Sequence, residues 1–206
     1  MSDPAAGPAF RRLEPDERRT QILRSAVQLF GERPYATVST TELAGAAGVT
    51  RGLLHHYFGT KRELYLEVVR TMMFAPDEDD TFAPTGTIHE RAGTVVDGLL
   101  DLLDRAGPTW VRASGAEGFG SDPEVQEILD RADDAATERT LAAVGFEGTT
   151  EQRALAHVAV RAYGAMVKAV GRELIERRSM SRPDARRLLT DALVATLESV
   201  APQRDG

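Results

Sequence analysis

At 206 residues, with 42% hydrophobic and 28% charged side chains, the chain has an ordinary globular composition and room for a small domain joined to a larger one. The absence of cysteine excludes disulfides, thiolate zinc sites and cysteine nucleophiles, and no apolar run reaches the roughly 18 residues that a membrane-spanning helix needs. The net charge of −7 argues against nucleic acid, yet residues 10–70 hold ten Lys/Arg against seven acids, leaving that stretch near +3 and the rest near −10. A phosphate-binding module on an acidic body gives such an asymmetry, and so does chance. Met1-Ser2-Asp3-Pro4-Ala5-Ala6-Gly7 has neither a basic start nor an apolar run, so a cytoplasmic location is expected.

Every periodic segment reads as helix, with apolar residues recurring at three and four and no sustained period-2 alternation. Residues 1–14, rich in Pro, Ala and Gly, are expected to form a flexible arm. A first helix is predicted from Asp16 to Phe30, burying Ile22, Ala26, Leu29 and Phe30, with Gly31 and Pro34 as its stop. Ser39-Thr40-Thr41-Glu42 has the spacing of a capping box, and Thr60-Lys61-Arg62-Glu63 repeats it. Thr50 offers a simpler cap between them, so helices are predicted near 40–47, 51–57 and 61–74.

Residues 75–87 break the pattern with Pro76, the acidic run Asp77-Glu78-Asp79-Asp80, Pro84 and Gly86. They are read as the loop between a first domain at 15–75 and a second domain at 76–206. Further helices are predicted near 88–105, 109–115, 122–145, 151–177 and 183–200, about nine in all. The expected fold class is therefore all-α.

The segment Ser39 to Phe58 is the most informative. Two short helices crossing steeply need a tight turn, and Gly48 stands where the chain must enter positive φ. Ala44 and Ala47 are small enough for the crossing, while Leu43, Val49, Leu54 and Phe58 are spaced to close a three-helix core on the first helix. The opposite face of the second short helix begins Thr50-Arg51-Gly52, the end that such helices insert into the major groove. Arg51 can donate two hydrogen bonds to guanine O6 and N7, although it can also be a solvated charge. Gly52 weakens a helix and would let the backbone approach a duplex. His55, His56 and Tyr57 carry polar tips at the phosphate level, and Tyr57 also suits a half-buried place in the core. Lys61 opens the following helix, where its charge and free amides both favour a phosphate. His55 and His56 are adjacent, so they point to different helix faces and do not chelate a metal together.

On these residues the stretch from Arg18 to Val69 resembles the DNA-binding domain of TetR-family repressors. The resemblance is carried by Ile22-Leu23, Ala26, Leu29-Phe30, Leu43-Ala44, Ala47-Gly48-Val49-Thr50 and Gly52-Leu53-Leu54-His55-His56-Tyr57-Phe58-Gly59-Thr60-Lys61. It implies phosphate contacts from Ser39, Thr41, Thr50, His56, Tyr57 and Lys61, and base contacts around Arg51, Gly52 and His55. Two positions depart from the family pattern: His55 stands where Tyr is common, and Pro34 where Gly is common.

The resemblance further implies a helical ligand-binding and dimerisation domain, joined through its last two helices to a second copy. The sequence agrees: Leu155, Val158, Ala159, Ala162, Tyr163, Met166, Val167, Val170 and Leu174 form one broad stripe. Ala185, Leu188, Leu189, Ala192, Thr196 and Val200 form another, flanked by Leu193 and Leu197. Such faces are wider than one-sided packing needs, although a large intrachain core would also use them. Candidate pocket residues are Trp110, Phe119, Phe146, Tyr163 and Met166, with Arg112, His157 and Arg161 as polar options.

No HExxH, P-loop or GxSxG signature occurs, and Gly115-Ala-Glu-Gly-Phe-Gly120 lacks the dinucleotide-binding order. The expectation is a non-enzymatic repressor without cofactor, whose partners are double-stranded DNA, a second copy of itself and a small-molecule effector. An activator, or a protein-interaction module on the same helix-turn-helix, remains the alternative.

Overall fold

The computed structural model describes residues 14–73, 85–115 and 122–200, the side chains of 106–115 excepted. Among these residues it has eight α-helices and no strand: α1 Pro15–Glu32, α2 Thr40–Ala46, α3 Arg51–Phe58, α4 Lys61–Met73, α5 Ile88–Gly115, α6 Pro123–Ala143, α7 Thr150–Ile175 and α8 Arg182–Val200. A 3-10 turn, Tyr35–Thr37, follows α1. The predicted arm and most of the predicted interdomain loop fall outside the described residues.

The caps form where the side chains placed them. The Ser39 hydroxyl accepts from the Glu42 amide at 3.2 Å, and the Glu42 carboxylate accepts from the Ser39 amide at 2.8 Å. Thr60 and Glu63 make the same reciprocal pair at 2.6 and 3.1 Å, and Thr50 caps α3 by accepting from the Leu53 amide at 3.2 Å. At the other end of α2, Gly48 takes φ +62°. The Val49 amide then reaches the Ala44 carbonyl at 2.9 Å and the Gly48 amide reaches Gly45 at 3.0 Å, the Schellman pairing that only a left-handed residue permits cheaply. This turn sets the steep crossing of α2 and α3.

Two expectations are corrected. Gly31 does not stop α1: it is buried inside the helix, which ends at Glu32 because Arg33 precedes Pro34 and is driven into extended backbone. The break predicted between 105 and 109 is absent, and α5 runs through Gly107-Pro108, giving eight helices among the described residues where about nine were expected. A proline removes one amide and costs about 3 kcal/mol, which the packing of α5 on α1, α4, α6, α7 and α8 offsets.

Two hydrophobic cores result. The first joins Ile22, Ala26 and Phe30 of α1 to Leu43, Leu54, Phe58 and the inner face of α4, and it also takes in Val125, Ile128 and Leu129 from the start of α6. Phe30, Tyr35 and Tyr65 form an aromatic cluster there, with ring centroids 5.0 to 5.8 Å apart. The second core gathers Ala92, Val96, Leu100 and Leu103 of α5, Leu141 and Val144 at the end of α6, and the facing sides of α7 and α8. One helix, α6, thus has one end in each core.

Candidate nucleic-acid interface

The recognition surface follows from what α3 hides. Leu54 and Phe58 are buried at 2% and 7% exposure, four residues apart on one face, so Arg51, Gly52, His55 and His56 must face outward. Burying each of the two apolar side chains contributes roughly 1.5–3 kcal/mol, enough to fix which face is presented. Gln21 of α1 locks the motif from behind, its amide donating to the Ala47 carbonyl at 3.0 Å. The Arg19 guanidinium lies 4.9 Å from the centroid of the Phe58 ring.

On the outer face, Arg51 is the first residue of α3, exposed, and makes no hydrogen bond or ion pair among the described residues. Gly52 is exposed beside it, and a Cβ there would meet only the Thr50 hydroxyl at 4.0 Å. The fold therefore has no need of a glycine at this position. His55 turns its Nδ1 to the carbonyl of Gly59, leaving Nε2 outward, and the His56 ring packs edge-on against Tyr57 at 5.4 Å. Tyr57 is half-buried against the first core. Ser39 and Thr41 are exposed at the start of α2.

Lys61 is more constrained than its place at a helix start suggested. Its Nζ donates to the Tyr35 carbonyl at 2.6 Å and sits 3.9 Å from that ring's centroid. Partial burial lowers its pKa, opposed by the nearby Glu42 carboxylate. Glu42 is held at a pKa of about 2, chiefly by the Arg33 guanidinium and then by hydrogen bonds from Ser39. Arg33 donates to Glu42 at 2.6 Å, tying the end of α1 to α2. Neither Arg33 nor Gln21 was singled out from the sequence, because their partners lie nine and 26 residues away and carry no local signal.

Five of the candidate pocket residues have described side chains. Tyr163 is buried in the second core, where its hydroxyl donates to the Leu189 carbonyl at 3.1 Å and burial pushes its pKa up. Phe146 and Met166 pack against that core. His157 lies 3.6 Å from Glu138 of α6, and Arg161 pairs with Asp130 and Asp134 at 2.7 Å each. Trp110 and Arg112 lie on α5 where side chains are not described, and Phe119 is outside the described residues. An open recess of about 520 Å³ lies elsewhere, on the outer side of α1 among Asp16, Glu17, Thr20, Gln21 and Arg24. No group of three or more potential metal ligands occurs among the described residues, and no helix among them is long and apolar enough to cross a membrane.

A capped short helix with a polar outer face, held by a glycine turn across a second short helix, defines a helix-turn-helix DNA-binding regulator. Residues 22–68 match the family model of bacterial regulatory proteins of the tetR family. Over that stretch the chain is similar to TetR-family transcriptional regulators. It is 25% identical over 151 residues to the HTH-type transcriptional activator FasR of Mycolicibacterium smegmatis, covering 72% of this chain and 68% of that protein. Over 81 residues it is 31% identical to the HTH-type transcriptional regulator BetI of Brucella canis, but that match spans only 41% of BetI and 38% of this chain. A TetR-family regulator from Streptomyces coelicolor superposes with a TM-score of 0.71 at 20% identity, covering 94% of this chain and 93% of that one. FadR from Bacillus subtilis, solved with stearoyl-CoA, gives 0.62 at 16% identity over 86% of this chain and 97% of that one. These relatives are named as transcriptional regulators.

Proposed function

We propose that the protein is a repressor that binds an inverted-repeat operator as a homodimer and is released by a small molecule. The observation that carries DNA reading is the first turn of α3: an exposed Arg51, without a partner among the described residues, beside a bare Gly52, on a helix fixed from behind by Leu54 and Phe58. Arg51, Gly52 and His55 take base edges. Ser39, Thr41, Thr50, His56, Tyr57 and one of the remaining protons of Lys61 take phosphates.

Dimerisation through α7 and α8 is supported by what those helices leave outside. Leu155 and Val158 are 54% and 64% exposed, and Ala162, Ala165 and Ala169 continue their stripe in the open. On α8, Leu188 is 40% exposed, with Ala195 further along the same side. Large apolar side chains leading into a line of alanines suit close packing of two helix pairs about a twofold axis. A division near residue 75 then leaves the reading head at 15–75 and the dimerising, effector-binding body at 76–206.

The effector's class is open to direct screening. The stearoyl-CoA in B. subtilis FadR makes long-chain acyl-CoA the first probe, with Trp110 fluorescence as the signal, since this is the chain's one tryptophan. The reading itself is tested by incubating the protein with a random duplex library at two salt concentrations and sequencing the retained DNA. An enriched inverted repeat whose affinity falls with salt supports it. No enrichment at low salt overturns sequence reading by the free protein. FasR is named an activator, so deletion of the coding gene decides the sign: repression predicts that the controlled genes rise.

A further inference from the structure

The start of α6 meets the head through two kinds of contact. Val125, Ile128 and Leu129 join the head's core, but apolar burial is non-directional and tolerates sliding. The directional contact is ionic. Arg62 of α4 donates from Nε and Nη2 to the two oxygens of Asp122, both at 2.9 Å, and from Nη1 to Glu124 at 3.0 Å. The other Glu124 oxygen accepts from Arg70 at 3.1 Å. Arg70 lies 3.8 Å from Glu67, and Glu67 accepts from Arg19 of α1 at 2.9 Å. Six charges thus tie α1 and α4 to one end of α6. The Asp122 side chain is only 14% exposed, and it also caps α6 by accepting from the Glu124 amide at 3.0 Å.

A lone exposed ion pair holds little, but a planar two-bond fork within a network is the exception. The fork fixes an angle as well as a distance, because both guanidinium donors must stay in line with one carboxylate. Its carboxylates stand on the helix whose far end, Leu141 and Val144, is built into the second core. Lys61, the neighbour of Arg62, opens α4 beside the reading surface.

We propose that Arg62 is a positioning residue: its fork on Asp122 and Glu124 sets the angle at which the reading head stands on the body. This rests on the reading that the head binds an operator. Two identical heads fit an inverted repeat only at one spacing, so loosening the angle in each protomer weakens binding without removing any DNA contact.

The chain has no cysteine, so donor and acceptor dyes can be placed at Ala36→Cys in the head and Glu151→Cys on α7, both exposed positions. Single-molecule energy transfer then reports the head–body distance distribution with no DNA present. Asp122→Asn combined with Glu124→Gln keeps a capping oxygen but removes both charges, whereas Asp122→Glu keeps the charge and weakens the cap. The neutral variant is expected to broaden the distribution and to lower affinity for the library-selected duplex about tenfold, with circular dichroism unchanged. Asp122→Glu is expected to stay near wild type in both. Arg62→Met leaves the cap untouched and should match the neutral variant. It also supplies the test if that variant fails to fold. Wild-type width and affinity in Arg62→Met, or a Glu variant as damaged as the neutral one, would overturn the proposal. If the wild type selects no duplex, the operator reading fails while the distance distributions still test the joint.

Discussion

Gly52 occupies the second position of α3 with free space around it and no strained backbone, so nothing inside the protein requires a glycine there. Gly52→Ala should therefore raise stability, by up to about 1 kcal/mol from helix propensity, while lowering operator affinity. Thermal unfolding and titration of the selected duplex check the two halves separately. Unchanged affinity would mean that the DNA backbone does not approach at this point. Arg51→Ala should leave stability within about 0.5 kcal/mol, as expected for an exposed residue without partners. It should relax base preference by about 1–3 kcal/mol per half-site, read by repeating the library selection. Gly59 is the opposite kind of glycine. At φ +66°, a backbone conformation that other L residues adopt only under strain, it is required by the turn into α4.

At the scale of elements, the head is held by caps as much as by its core. Glu42 both closes the capping box of α2 and receives Arg33, and its pKa in the folded protein falls from 4.5 to about 2. A carboxyl depressed on folding stabilises above its unfolded pKa and loses that contribution as pH falls toward the folded value. Glu42→Gln should therefore melt below the wild type at pH 7, and the gap should close between about pH 4.5 and 2. A gap at pH 2.5 as wide as at pH 7 would assign the effect to packing and not to charge. The spacing Ser39–Glu42, Thr50 and Thr60–Glu63 was sufficient to place the starts of α2, α3 and α4, because a cap acts within one turn. Pro108 misled for the complementary reason. A local breaker counts only against local stability, and α5 is held by five other helices.

For the whole molecule, the outward apolar stripe of α7 is the feature that asks for a second copy. Val158→Asp places a charge at its most exposed large apolar residue and should shift the protein to monomer in analytical ultracentrifugation. Operator affinity should fall with it, since one head reads only half a repeat. A dimer unaffected by this change would move the interface elsewhere. The broad stripes on α7 and α8 were legible as too wide for one-sided packing, but the sequence could not divide them. The structure assigns Ala156, Val160, Tyr163, Val167 and Val170 to the core and leaves Leu155, Val158 and Ala162 outside. Of the candidate pocket residues, Tyr163 lies in the second core, and His157 and Arg161 face carboxylates of α6, partners that no local spacing signals. The sequence alone determined the helical periods, the caps, the glycine turn and the face that α3 presents, because each depends on residues within about two turns of one another. Only the tertiary structure decided which half of a wide apolar face is buried, that α6 spans both cores, and that Arg62 meets Asp122. The last of these joins residues 60 positions apart, and no local period or spacing encodes which distant partner a side chain will find.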